Sequence, residues 1–244
     1  MVFPRGTIQD HNLYSHKLGE TVDLLVYLPA TFSPLYKYHV LIALDGVDYF
    51  QLGGIAKLAD ELLERNEIER LIIVGVPYKS GKDRHDKYHP EGEQSQAFLQ
   101  FLAQELVPYL DHAFPTYQIG MGRALIGDSL AGYTAFKAAL TYPHTFGKVA
   151  LQSPYAHSSL ISTIKAFNHP ALLEIYHVVG TEETSVKTTR GKLENFIEPN
   201  RRLSVLLSAK GFPYTYQEFE GDHTWTYWQP DLRSVLQSLF FQKS

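Results

Sequence analysis

Arg123-Ala124-Leu125-Ile126-Gly127-Asp128-Ser129-Leu130-Ala131-Gly132 is the stretch on which the reading of this chain turns. The apolar run Ala124 to Ile126 passes straight into Gly-Asp-Ser-Leu-Ala-Gly, and a helical pattern (Tyr133, Phe136, Ala139, Leu140) begins with no connecting loop. A strand that turns so sharply into a helix leaves no room for side chains beside the turning residue. Small residues at Gly127 and Ala131 supply that room, and Ser129 is held strained and exposed. The helix beneath it presents free backbone N–H groups and a positive dipole end to developing negative charge. Ala131 stands where a Gly-x-Ser-x-Gly pattern has its last glycine. It is the next smallest residue and Gly132 follows at once, so the steric argument holds. A serine that only caps a helix is the plainer alternative; the strand–turn–helix context favours a nucleophile.

Working outward, four further apolar segments surround this turn: His39 to Leu44, Leu71 to Val76, Lys148 to Leu151 and Leu172 to Val179. Runs apolar on both faces suit parallel strands covered by helices on each side. Helical patterns lie between them, with Ile55, Leu58 and Leu62 on one face and Phe98, Leu102, Leu106 and Leu110 stepping by four along another. Pro108 is expected to kink or shorten that second helix. Upstream, Val22 to Leu28 reads as an early strand, paired antiparallel with the polar segment Thr7 to Ser15. The alternation predicts a three-layer α/β sandwich over residues 1–244 as one domain, with its chemistry at the carboxyl ends of the strands.

A serine nucleophile needs a base and an acid, and in α/β-hydrolases the chain order is Ser, then Asp or Glu, then His. His223, in Glu220-Gly221-Asp222-His223-Thr224-Trp225, follows the strand-like segment Tyr214 to Phe219 and precedes the terminal helix pattern. A loop after the last strand is where the base hangs over the serine. His177 lies inside an apolar strand and reads as a core or cross-strand histidine. The acid leaves the segment ending at Val179, where the chain reads Gly180-Thr181-Glu182-Glu183-Thr184. Successive residues point in different directions, so one glutamate reaches the imidazole; Glu183 is preferred and Glu182 stands second. Asp222 and Glu220 would have to fold back on the ring. For the oxyanion, one donor is the N–H of Leu130, after the nucleophile. The other is placed at Val47 in Leu44-Asp45-Gly46-Val47-Asp48, where Gly46 permits a tight turn. An ordinary Asp-Gly turn is the alternative there.

Taken in order, Asp45-Gly46, Gly127 to Gly132, Gly180-Thr181-Glu182-Glu183 and Gly221-Asp222-His223-Thr224-Trp225-Thr226-Tyr227-Trp228 resemble the esterase family of α/β-hydrolases. That family takes in enterochelin-esterase-like, feruloyl, acetyl xylan and esterase-D-like (S-formylglutathione) hydrolases, together with mycolyl transferases. The resemblance runs from about Gly19 to Leu239. It implies an α/β-hydrolase fold with a mostly parallel sheet, Ser129 as nucleophile, His223 as base, Glu183 as the fourth residue of a Gly-Thr-x-acid motif, and Val47 as an oxyanion donor. Glu stands for the family's Asp, and Ala131 alters the elbow. The implied activity is hydrolysis of a carboxylic ester through an acyl-enzyme, on siderophore-type, acetyl or aryl esters. Acyl transfer at the same site, or an inactive α/β-hydrolase that only binds, are the competing functions. The letters Gly-Asp-Ser-Leu also occur in another lipase group with a late Asp-x-x-His. Here the string Asp86-Lys87-Tyr88-His89 lies before the serine, which excludes that reading.

Composition bounds the rest. With 22 basic and 26 acidic residues and a net charge of -4 spread along the chain, nothing points to nucleic acid or an anionic membrane. There is no cysteine, so a disulfide framework and thiolate metal sites are excluded. No cofactor or metal is expected: Gly120-Met121-Gly122 lacks a dinucleotide fingerprint, and His85-Asp86-Lys87-Tyr88-His89 reads as a solvated loop bordering the site. The partner is a small-molecule ester; oligomeric state is not written in the chain. Met1-Val2-Phe3-Pro4-Arg5-Gly6 has no secretory pattern, and no apolar run approaches the ~20 residues needed to span a bilayer, so the expectation is a cytoplasmic protein. The aromatic content (16 Tyr, 14 Phe, 2 Trp) serves either a pocket or the core.

Overall fold

The computed structural model describes residues 3–188 and 191–242; Met1 and Val2 of the amino-terminal stretch lie outside them. Among the described residues, ten strands run β1 (Thr7–Ser15), β2 (Glu20–Leu28), β3 (His39–Leu44), β4 (Leu71–Val76), β5 (Arg123–Asp128), β6 (Lys148–Gln152), β7 (Glu174–Gly180), β8 (Val186–Lys187), β9 (Leu193–Glu194) and β10 (Tyr214–Phe219). Between them lie α1 (Gly46–Gln51), α2 (Ile55–Glu64), α3 (Gly81–Tyr88), α4 (Ser95–Phe101), α5 (Val107–Ala113), α6 (Ser129–Thr141), α7 (Ser158–Ala166), α8 (Ile197–Lys210) and α9 (Trp225–Phe240).

Eight strands form one sheet in the order β1-β2-β4-β3-β5-β6-β7-β10. β1 and β2 pair antiparallel, β2 meets β4 antiparallel, and every later pairing is parallel. This is the three-layer α/β sandwich that the apolar runs predicted, in the form of the α/β-hydrolase fold that the resemblance implied. Alternate residues of one strand feed two separate cores. Val40, Ile42 and Leu44 pack with α4 to α8 on one face, while Leu41 and Ala43 pack with α2 and α9 on the other. That two-sided burial is why these strands carry almost no polar residues.

Two local expectations change. The helix through Phe98 and Leu110 is not kinked away: a π turn over Leu102–Leu106 joins α4 to α5, and Pro108 falls in the first turn of α5. A proline has no N–H to give to an i−4 carbonyl, and the wider turn before it takes up the gap. The stretch His85 to His89, read as a loop, is the second half of a helix, α3, and its carboxyl cap. Ser80 caps it by accepting from the Asp83 N–H at 3.2 Å, and the i,i+4 ion pairs Lys82–Asp86 and Asp83–Lys87 line its flank. Caps and charge pairs hold this helix where an apolar stripe does not. Among the described residues, no helix is long and apolar enough to cross a membrane.

Candidate active site

Four non-glycine residues among those described have positive φ, and three of them, Asp45, Ser129 and Ser153, sit at the carboxyl ends of β3, β5 and β6. Backbone strain concentrated in this way marks a site over-determined by its surroundings. At Ser129 φ is 51°, directly after the extended Asp128 and at the first residue of α6. The room for this turn comes from Gly127: a Cβ there would lie 2.4 Å from the Ala131 carbonyl carbon. Gly132 is confined less tightly: a Cβ there would lie 3.0 Å from the Gly127 oxygen and from the Pro154 side chain.

Glu183 and His223 meet. The imidazole Nδ1 lies 2.7 Å from Glu183 Oε2, and the glutamate is fully buried. Its other oxygen, Oε1, accepts from the Gly180 N–H at 2.8 Å and from the Ser153 hydroxyl at 2.5 Å. Glu182, one residue earlier, is exposed. Asp222 turns away from the ring and accepts from the Thr224 hydroxyl at 2.6 Å. Phe196 packs on the imidazole with centroids 4.3 Å apart, and Trp228 meets it edge-on at 4.8 Å. Trp225 packs edge-on against Tyr49 at 4.8 Å and against Trp228 at 5.8 Å.

Ser129, Leu130 and His223 line one cavity of about 620 Å³, together with the rings of His85, His89, Tyr155, His157 and Phe196. Tyr155, His89 and His157 cluster with centroids 5.7 to 6.4 Å apart, the tyrosine ring near-parallel to both histidines, and a stacked His85–His89 pair extends the wall. The β8–β9 hairpin contributes Val186, Lys187 and Glu194. A second cleft of about 690 Å³, lined by Pro29, Asp60 and Arg70, holds none of the candidate triad.

Val47 is half-buried in the first turn of α1, between Asp45 and Asp48, which both line the cavity. Leu130 occupies the equivalent place in α6. N–H groups in the first turn of a helix have no intrahelical acceptor, so both are available to a ligand. The tight turn falls on Asp45, with φ 55°, rather than on Gly46. Gly46 is needed for closeness: a Cβ there would come within 2.5 Å of the Gly75 backbone on β4.

Sequence reasoning missed a charged group beside this turn. Asp45 is paired with Arg84 on α3, and Asp128 and Asp48 stand nearby. Burial pushes the Asp45 carboxyl up against the pull of Arg84. Burial first, and then the Asp45 charge, pushes the Asp128 carboxyl up to about 8, which favours its protonated form. Its Oδ1 is buried with no hydrogen-bond partner among the described residues. The signal in sequence was Arg84 itself, a lone arginine directly before the stretch taken for a loop.

The family described as "Putative esterase" matches residues 15–239. The uncharacterized protein YjcH of Bacillus subtilis (strain 168) is 50% identical over 234 residues, covering 96% of this chain and 98% of its own. Among solved structures, a ferulic acid esterase is similar with a TM-score of 0.78 at 18% identity, over 98% of this chain and 99% of that one. The enterobactin esterase FES from Shigella flexneri reaches 0.82 at 18% identity, over 96% of this chain but 58% of FES. At such identity the structural likeness speaks for the fold alone. The family match covers most of the chain, and on it this protein belongs to the "Putative esterase" family, as an ester-hydrolysing enzyme built on the α/β-hydrolase fold.

Proposed function

We propose that the protein is a serine carboxylesterase with Ser129 as nucleophile, His223 as base and Glu183 as the orienting acid. The observation that carries this reading is the 2.7 Å contact between His223 Nδ1 and the buried Glu183, on the same cavity as a serine at φ 51°. In this reaction the Ser129 hydroxyl attacks the ester carbonyl and its proton passes to His223 Nε2. Glu183 keeps the Nδ1–H in place and stabilises the imidazolium. The tetrahedral oxyanion accepts from the N–H groups of Leu130 and Val47. Collapse sends the proton to the leaving alcohol; a water, deprotonated by His223, then releases the acid and restores Ser129.

The ring-lined wall supports an ester with a planar aromatic group, which stacks on Tyr155 and the histidines beside it. The names of the two structural neighbours, a ferulic acid esterase and an enterobactin esterase, point the same way.

The test compares wild type with Ser129→Ala on short p-nitrophenyl esters, then on methyl hydroxybenzoates, hydroxycinnamates and catechol siderophore esters. Wild-type turnover with a loss of at least about 10³-fold in Ser129→Ala supports the nucleophile. Full activity in that variant sinks it. A higher kcat/KM for aromatic than for acetyl esters supports the substrate class, and the opposite ranking removes it.

A further inference from the structure

Ser153 follows β6, is fully buried, and carries φ 49°. Glycine adopts that conformation freely, whereas serine does so under strain. A serine kept there is kept for its hydroxyl, and the hydroxyl has two partners. Trp228 Nε1 lies 3.1 Å from Ser153 Oγ, and Oγ lies 2.5 Å from Glu183 Oε1. An indole N–H only donates, so Oγ must accept from Trp228. That leaves the single hydroxyl hydrogen for Glu183, and an ionised carboxylate only accepts. Both directions are fixed by chemistry.

The geometry points to Ser153 as a positioning residue of the triad, an inference that rests on the Ser129–His223–Glu183 reading. The Gly180 N–H and the Ser153 hydroxyl hold Oε1, and Oε2 is thereby turned to the imidazole. Both donors stabilise the negative charge of a glutamate that water does not reach. The same hydroxyl fixes the Trp228 indole, whose ring meets His223 edge-on. Gln152, one residue earlier, holds the Trp228 carbonyl oxygen at 3.0 Å, so the end of β6 grips this tryptophan by backbone and side chain alike. One serine therefore sets two of the surfaces that confine the imidazole, without touching substrate.

The test uses the full-length protein carrying Ser153→Gly, with Ser129→Ala in parallel. Glycine suits φ 49°, and that relief offsets part of the two lost hydrogen bonds, so Ser153→Gly should fold and melt only modestly below wild type. KM should stay within about twofold, and kcat should fall between about 10- and 100-fold, the loss of one hydrogen bond to a charged group. The downfield proton resonance of His223 Nδ1–H should also move, a signature that a purely structural serine would not change. Ser153→Ala, which keeps the Cβ, should show the same loss of kcat and the same shift if the glycine variant does not fold. An inactive Ser129→Ala beside a Ser153→Gly with wild-type kcat and an unmoved resonance overturns the positioning role alone. An active Ser129→Ala overturns the triad reading beneath it.

Discussion

Arg84 clamps Asp45 with two nitrogens: Nε lies 3.0 and 2.8 Å from the two carboxylate oxygens, and Nη2 lies 2.6 Å from Oδ2. One helical turn later, the Tyr88 hydroxyl accepts the Asp45 N–H at 3.2 Å, and the Tyr88 carbonyl accepts from Thr134 of α6 at 2.9 Å. α3 thus ties the turn before Val47 to the helix that carries Ser129 and Leu130. Both proposed oxyanion donors depend on its placement.

Breaking this pair from one side leaves a buried charge, which costs about 3–5 kcal/mol. Arg84→Met should lower stability by that order and reduce kcat by about 10²-fold, comparable to losing one oxyanion donor. The double variant Arg84→Met/Asp45→Asn should recover most of the stability, because no lone charge remains, while kcat stays low. Thermal melts and kcat on a p-nitrophenyl ester check this. Full recovery of kcat in the double variant would remove Arg84 from the oxyanion turn.

Asp128 supplies a pH dependence. Its native pKa, about 8, stands above the ordinary 3.8, because burial and the Asp45 charge oppose ionisation. Between those values the folded chain holds a proton that the unfolded chain has released, so this group makes stability fall as pH rises from about 4 to about 8. Above about 8 a carboxylate stands next to the nucleophile and opposes the oxyanion. An alkaline fall in kcat with an apparent pKa near 8 is expected in wild type and absent in Asp128→Asn, whose neutral amide mimics the protonated acid. Superimposable alkaline limbs in the two proteins would count against it.

The parts of the fold legible in sequence are those where a physical demand falls on neighbouring residues. A strand buried on both faces writes a continuous apolar run, and a strand–helix elbow writes Gly127 and Ala131 on either side of Ser129. The pairs that hold the site together leave no such trace. Arg84 and Asp45 are 39 residues apart and Ser153 and Glu183 are 30 apart, so each looks ordinary until the sheet brings them together. α3 misled for a different reason. Its helix rests on the Ser80 cap and flanking ion pairs, and hydrophobic periodicity is blind to both. The Ser80-x-x-Asp83 spacing carried the signal that periodicity lacked.

The two adjacent glutamates offer a direct comparison. Glu183 is buried against His223 and Glu182 is exposed, its backbone N–H bound to the Gly221 carbonyl at 3.0 Å. Glu183→Gln replaces the acceptor facing Nδ1–H with an amide and removes the charge that stabilises the imidazolium. A fall in kcat smaller than that of Ser129→Ala, about 10²-fold, is expected for Glu183→Gln, against about twofold or less for Glu182→Gln. The reverse ranking in steady-state kinetics would move the acid to Glu182.

His177 ties stability to acid pH away from the reaction. It is fully buried on β7, with Nε2 2.9 Å from Asn200 Oδ1 and Nδ1 2.7 Å from the Tyr214 hydroxyl. Asn200 already donates its amide to the carbonyls of Pro154 and Phe196, so its Oδ1 accepts and Nε2 carries the hydrogen. Nδ1 is then the acceptor, and burial pushes the imidazole down to about 4. The unfolded chain, with an ordinary value of 6.5, takes up a proton that the native ring refuses between these limits. Stability from this group is fully present above about 6.5 and is lost as pH falls toward about 4, by roughly 3 kcal/mol at most. Asp128 contributes the opposite slope over the same range, so the His177 term is read as the difference between wild type and His177→Gln in urea unfolding at a series of pH values. His177→Gln, less stable at neutral pH but with no proton to gain, should lose less stability than wild type as pH falls from about 6.5 toward about 4; parallel curves for the two proteins would assign the acid sensitivity to another group.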